Sequence, residues 1–249
     1  MSETRNAPTT EAATAASQAD EPFVARKIIV IAAHPDDPEF GCAATIAKWA
    51  AVGHDITYLL LTSGDKGSRE RKTPPGELAA VREDEQRAAA SELGVKRVVF
   101  LRHPDGLLEN TMALRREISG YLREYGPDTV VTIDPWRRYQ LHPDHRVAGQ
   151  AALDAIYAAR EWHIFPEQLV GDRIPCRVRD VYLFWTDKPD YYEDVTSSID
   201  CRIEALKRHV SQVGERIEQL PERIRGGARD TGKEAGYEFA EGFKHFKLG

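Results

Sequence analysis

Two short strings, His34-Pro35-Asp36-Asp37 and His142-Pro143-Asp144-His145, place imidazoles and carboxylates at a spacing suited to metal chemistry. Two imidazoles and one carboxylate around a single ion, with a fourth position open to water, form the ligand set of a catalytic zinc site. Pro35 and Pro38 restrict the backbone on both sides of Asp36 and Asp37, as ligands that must be held still require. The same residues also have ordinary uses. Asp37 before Pro38 suits a helix cap, Asp144 suits another in preference to orienting a histidine ring nitrogen, and a histidine can simply be solvated. His142 and His145 are three apart at a helix start and share a face there. Two such strings delivered to one cleft favour a metal-dependent hydrolase over the ordinary uses.

The surrounding elements must bring them together. Ile28-Ile29-Val30-Ile31-Ala32-Ala33 precedes the first string, and Thr129-Val130-Val131-Thr132-Ile133 shortly precedes the second. Short β-branched runs of this kind read as buried strands of a parallel sheet. Strands are expected at 27–33, 55–62, 97–101, 128–133 and 178–185, and helices at 40–52, up to 93, 111–125, 143–160 and 197–213. This alternation predicts a single α/β domain, a Rossmann-like parallel or mostly parallel sheet with helices on both faces. In such a sheet ligands gather outside the carboxyl ends of the strands, where both strings fall. Val147, Ala151, Ala155 and Ala158 give the 143–160 helix a narrow face for close packing. From Pro221 onward the sequence is glycine-punctuated and its fold is not legible. Residues 1–22, rich in Ala, Thr, Ser and Glu, read as a disordered tail before a domain at 23–249.

The run Ala33-His34-Pro35-Asp36-Asp37-Pro38-Glu39-Phe40-Gly41-Cys42, taken with His142-Pro143-Asp144-His145, resembles the LmbE-like, or PIG-L, family of zinc-dependent N-deacetylases. Weaker support comes from 61–68, from the helix at 82–94, and from 101–107 with its Pro104-Asp105-Gly106. The resemblance implies removal of an N-acetyl or other N-acyl group from a small-molecule amino sugar or glycoside. It implies His34, Asp37 and His145 as metal ligands, Asp36 as general base and His142 as the oxyanion-stabilising group. Arg82 and Asp105 would meet substrate hydroxyls. Zn2+ is the implied cofactor, with Fe2+ or another first-row divalent metal as the alternative. Where many members have glutamate directly after the aspartate pair, this chain has Pro38 and then Glu39, and Ala43-Ala44 replaces a common glycine pair. On this reading a protonated His142 and the metal share the charge that builds on the carbonyl oxygen.

The bulk numbers restrict the alternatives. A net charge of −6 argues against a nucleic-acid partner, and no apolar run approaches the roughly 20 residues of a bilayer span. Three dispersed cysteines form no paired framework and suit a reducing compartment, so a cytoplasmic protein is expected; a homo-oligomer is allowed. Amide hydrolysis on a larger conjugate would use the same site. A non-haem iron oxygenase shares the two-histidine, one-carboxylate set, but needs no base at Asp36. A dehydrogenase would want Gly-x-Gly-x-x-Gly after the first strand, and a non-catalytic binding protein would not need so complete a site. His103 competes as a ligand only weakly, since three protein ligands already suffice. The glycine-rich loop 63–76 reads either as a lid or as a plain surface loop, and Arg137, Arg138 and Tyr139 as an entrance. His54, His163, His209 and His245 are expected to be structural or solvated, and Gln212 has no assignable role.

Overall fold

The computed structural model describes residues 24–68 and 70–248, so the expected tail at 1–22 lies outside the described residues. Seven strands form one sheet: β1 (Lys27–Ala32), β2 (Asp55–Thr62), β3 (Arg97–His103), β4 (Thr129–Ile133), β5 (Asp180–Phe184), β6 (Tyr191–Asp194) and β7 (Ala240–Lys247). Their order is β3-β2-β1-β4-β5-β7-β6. The first five are parallel neighbours, as the β-branched runs predict; β7 pairs antiparallel with β5 and with β6. The five central residues of β1, from Ile28 to Ala32, are buried, the pattern of a strand covered on both faces.

The helices are α1 (Asp37–Gly41), α2 (Ala43–Ala51), α3 (Pro75–Glu92), α4 (Met112–Tyr125), α5 (Pro143–Arg160), α6 (Ile199–Lys207), α7 (Val210–Val213) and α8 (Leu220–Ala235). They fall into two packing groups, α4 with α5 and α2 with α3 and α6. Thr111 caps α4 by accepting the Leu114 N–H, and Gly126 ends it at φ 64°. On α5 the small residues allow close approach. A Cβ on Gly149 would lie 2.2 Å from the Ile133 carbonyl oxygen, so α5 lies directly against the end of β4.

The expected helix at 40–52 is interrupted at Cys42, whose φ of −150° separates α1 from α2. The expected helix at 197–213 likewise breaks at His209, between α6 and α7. β6 and β7 lie outside the expected strands, β6 being four residues long and β7 mixed in polarity; β7 pairs with β5, and β6 pairs with β7 at the sheet edge. A second apolar cluster, Ile199, Ile203, Leu206, Leu220, Ile224 and Phe239 among its members, binds the C-terminal helices to α2 through Ala44. Among the described residues no helix is long and apolar enough to cross a membrane.

Candidate metal centre and active site

The order of strand addition reverses between the parallel neighbours β1 and β4: β2 and β3 extend the sheet one way and β5 the other. This switch point opens a crevice at the carboxyl edge, and both strings meet in it. The His34–Asp37 turn leaves β1, with Ala33 O accepting from the Thr62 N–H and hydroxyl of β2. His142 and His145 stand at the first turn of α5.

Asp37 lies between two imidazoles. One oxygen is 3.3 Å from His34 Nδ1, the other 3.1 Å from His145 Nε2, and the His34 N–H donates to it at 2.8 Å. Its carboxylate is therefore engaged with the site. The helix-cap use is not observed, since α1 has no side-chain cap. His34 Nε2 is 3.1 Å from both Asp105 Oδ1 and Asp144 Oδ2. His142 stacks on His145 at 4.4 Å and meets His34 edge-on at 4.7 Å. Trp185, just beyond β5, approaches His145 at 5.0 Å between ring centres.

Asp144 corrects a sequence expectation. It is wholly buried and caps nothing; it accepts from the Gly106 N–H at 2.7 Å and the Leu108 N–H at 3.2 Å while touching His34. It ties the loop after β3 to the metal-ligand histidine candidate. His103 points elsewhere and pairs with Glu117 at 2.8 Å.

Asp36 has φ 86° and ψ −23°, a left-handed conformation that costs a non-glycine residue about 1–3 kcal/mol. Arg82, 4 % exposed, donates to Pro35 O at 2.6 Å, Gly64 O at 3.0 Å and Asp36 Oδ2 at 3.3 Å. Asp105 accepts from the Lys66 N–H at 2.9 Å, which ties the start of the 63–76 loop to the loop after β3. Arg138 pairs with Asp187, while Trp136, Tyr139 and Leu141 stand exposed on the loop before His142.

Burial opposes charge on His34, yet Asp37, Asp105 and Asp144 outweigh it and its pKa is pushed up to about 12. Burial likewise works against an ionised Asp37, but His145 and His34 hold it well below the usual carboxylate range. Asp105 is held down to about 2 and Asp144 below its ordinary value, burial again being outweighed, by His34 and by backbone N–H donors. Asp36 differs: burial pushes it up to about 6, with Arg82 pulling down and Asp37 pushing up. His142 is lowered by burial and by its neighbours His34 and His145, which opposes the protonated form expected from sequence.

Among the described residues two donor groups lie close enough to hold an ion, His34 with His142 and His145, and His34 with Asp105 and Asp144, each with atoms within 4.8 Å of one another. Three ionised carboxylates around one buried imidazole leave an excess of negative charge that a divalent cation would offset. The residues present therefore fit a metal. Beyond Trp185, at the same sheet edge, a cavity of about 950 Å³ is walled by Phe40, Gly41, Trp185, Arg202, Leu220 and Ile224 among others.

Sequence reading prefers the cap for Asp144 over contact with a histidine ring, which is the contact observed, and it misses Gln86, Glu39 and Trp185. Gln86 carried one signal, its position four residues after Arg82 on α3, which puts both on one face.

Comparison with known proteins identifies the family. The family model described as GlcNAc-PI de-N-acetylase (PIG-L) matches residues 29–156. Diacetylchitobiose deacetylase of Thermococcus kodakarensis is 34% identical over 90% of this chain and 85% of its own length. A Bacillus anthracis protein named probable N-acetyl-alpha-D-glucosaminyl L-malate deacetylase 2 is 27% identical over 83% of this chain and 90% of its own. The solved N,N'-diacetylchitobiose deacetylase of Pyrococcus horikoshii, in complex with an inhibitor, superposes with a TM-score of 0.85 at 31% identity, covering 90% of this chain and 84% of that one.

Proposed function

The chain belongs to the PIG-L family of de-N-acetylases, and from that premise we propose that it hydrolyses the N-acetyl group of a small amino sugar or glycoside with the help of zinc. Its class is that of a hydrolase acting on N-acetyl amides, as its relatives are. The observation that carries the reading is Asp37 bridging His34 and His145 with Asp36 beside it, raised to about 6 and held in a strained conformation.

His34, Asp37 and His145 would hold the ion. When bound, a divalent zinc supplies a Lewis acid that makes water acidic near neutrality. Asp36 accepts the proton of the attacking water at its carboxylate, as a base with a pKa near the working pH does best. His142 offers a ring N–H where charge develops on the acetamide oxygen, and its stacking on His145 fixes the ring plane. The acyl carbon gains the water oxygen, its C–N bond breaks, and the leaving amine takes the proton Asp36 accepted. The products are acetate and a free amine. Arg82 orients Asp36, and with Asp105 lies beside the place a sugar hydroxyl would occupy.

The oxygenase alternative is withdrawn, because the relatives found are named as deacetylases and Asp36 has no use in that chemistry. The cavity beyond Trp185 favours one second reading, a substrate extended by an aglycone or second sugar. Incubation with N-acetylglucosamine, diacetylchitobiose and N-acetylglucosaminides of increasing size, with released acetate as the readout, tests both. Acetate release that depends on bound metal supports the function, and preference for the longer compounds supports the second reading. No acetate from any member by the zinc-loaded protein would overturn it.

A further inference from the structure

We propose that Gln86, Glu39 and His209 form a buried positioning chain that holds the Asp36 peptide in its reactive conformation. The peptide group joining Pro35 to Asp36 is gripped at both ends by one face of α3. Arg82 donates to its carbonyl oxygen, and Gln86 Oε1 accepts its N–H at 2.9 Å. A glutamine amide can present either end, so something must fix which. Glu39 does so by accepting from Gln86 Nε2 at 2.9 Å, which turns the carbonyl end toward Asp36. The other Glu39 oxygen faces His209 Nε2 at 3.3 Å. His209 thereby backs the far side of Glu39, whose nearer oxygen is the acceptor for Gln86.

All three side chains are at 0 % exposure. Glu39 Oε2 and both His209 ring nitrogens lack a well-formed hydrogen bond, a costly arrangement that stability alone would not retain. His209 sits at the break between α6 and α7, so the C-terminal segment reaches the base through a contact that no short motif records. None of the three touches the cleft. They are positioning residues, and their hydrogen-bonded contact with Asp36 is made to its backbone N–H by Gln86.

The test reads the Asp36 amide directly in the full-length protein. Hydrogen exchange by NMR, with and without zinc, should show a protected Asp36 amide. Gln86→Met should speed its exchange about tenfold, the scale of one lost hydrogen bond, while Ile31 in β1 stays protected. Gln86→Glu, whose protonated carboxyl can repeat both bonds, should restore protection. His209→Gln should speed exchange less, and combining it with Gln86→Met should add nothing, because both act on one chain. If Gln86→Met does not fold, Glu39→Met, which removes the acceptor of Gln86 Nε2 and so frees the glutamine amide to turn, gives the same readout. Unchanged Asp36 exchange, or additive effects in the double variant, would overturn the chain. A second arm rests on the deacetylase reading: kcat should fall about tenfold in Gln86→Met with KM and zinc content unchanged. If the wild type cleaves no N-acetyl substrate, that reading fails while the exchange arm still decides the chain.

Discussion

The segment running from β1 through α5 and the segment from α6 through β7 serve the site in opposite ways. In the first, chemistry is local in sequence, with His34, Asp36 and Asp37 inside four residues and His142 and His145 inside four more. The second holds no such string, yet it restrains the loop that carries the proposed base, Asp36. Arg202 of α6 donates to Glu39 O at 3.0 Å, to Phe40 O at 2.5 Å and to Glu241 at 2.9 Å. Glu241 of β7 in turn accepts the Ala44 and Thr45 N–H groups, so a strand at the far end of the chain supplies the acceptors for the start of α2. Reactive atoms can be supplied by four consecutive residues. The conformation that makes them reactive depends on groups far away in sequence, because only those can press on the loop from outside.

The comparison is broken most sharply at the ligands. His34→Ala and His145→Ala should each abolish stoichiometric metal binding and with it activity, while circular dichroism still reports a folded sheet. Metal retained at full stoichiometry in either variant, by elemental analysis, would remove that residue from the ligand set. Next in size, Asp36→Asn should keep its metal and lose roughly 10²- to 10⁴-fold in kcat, the usual cost of removing a general base. A metal-free Asp36→Asn would mean that the roles of Asp36 and Asp37 are exchanged.

The same division governs how much was legible from sequence. β1, β2, β4, β5 and α5 follow from β-branched runs and small-residue spacing, because their neighbours on the sheet bury them in the simplest way. The two strings could be read because a metal site needs specific residue types. Cys42 and His209 break their helices for reasons local propensity does not contain: Arg202 pulls on the Glu39 and Phe40 carbonyls, and Glu39 draws His209 inward. Asp144 looked like a cap because Asp near a helix start usually is one; its bonds to Gly106 and Leu108 depend on a loop that folds in from β3.

A variant in the restraining segment should separate the two contributions. Arg202→Met leaves Glu241 as a buried carboxylate without its guanidinium, which typically costs about 3–5 kcal/mol. Chemical denaturation should show that loss, while kcat per zinc-loaded molecule stays within a few-fold of wild type at moderate temperature. A fall in kcat as large as that of Asp36→Asn, without a stability change, would show that Arg202 belongs to the catalytic half.

The smallest expected effect is a displacement of the acid limb of the rate profile. Asp36 must be ionised to accept a proton, so activity is present above its pKa and is lost as pH falls through it. Burial pushes that pKa up to about 6, and the Arg82 guanidinium is the strongest influence pulling it back down. Arg82→Gln removes the positive charge, so the acid limb of kcat/KM should move to higher pH. Arg82→Lys keeps the charge but loses the fork that holds Pro35 O and Gly64 O together. Its limb should stay near the wild-type position even though its plateau falls. A bound cation also stabilises the ionised carboxylate, but it does so in all three proteins and leaves the order of the limbs intact. Profiles of wild type, Gln and Lys variants at saturating zinc decide the matter. If Gln and Lys shift the limb equally, Arg82 acts on Asp36 through geometry alone and its charge has no part in setting the base.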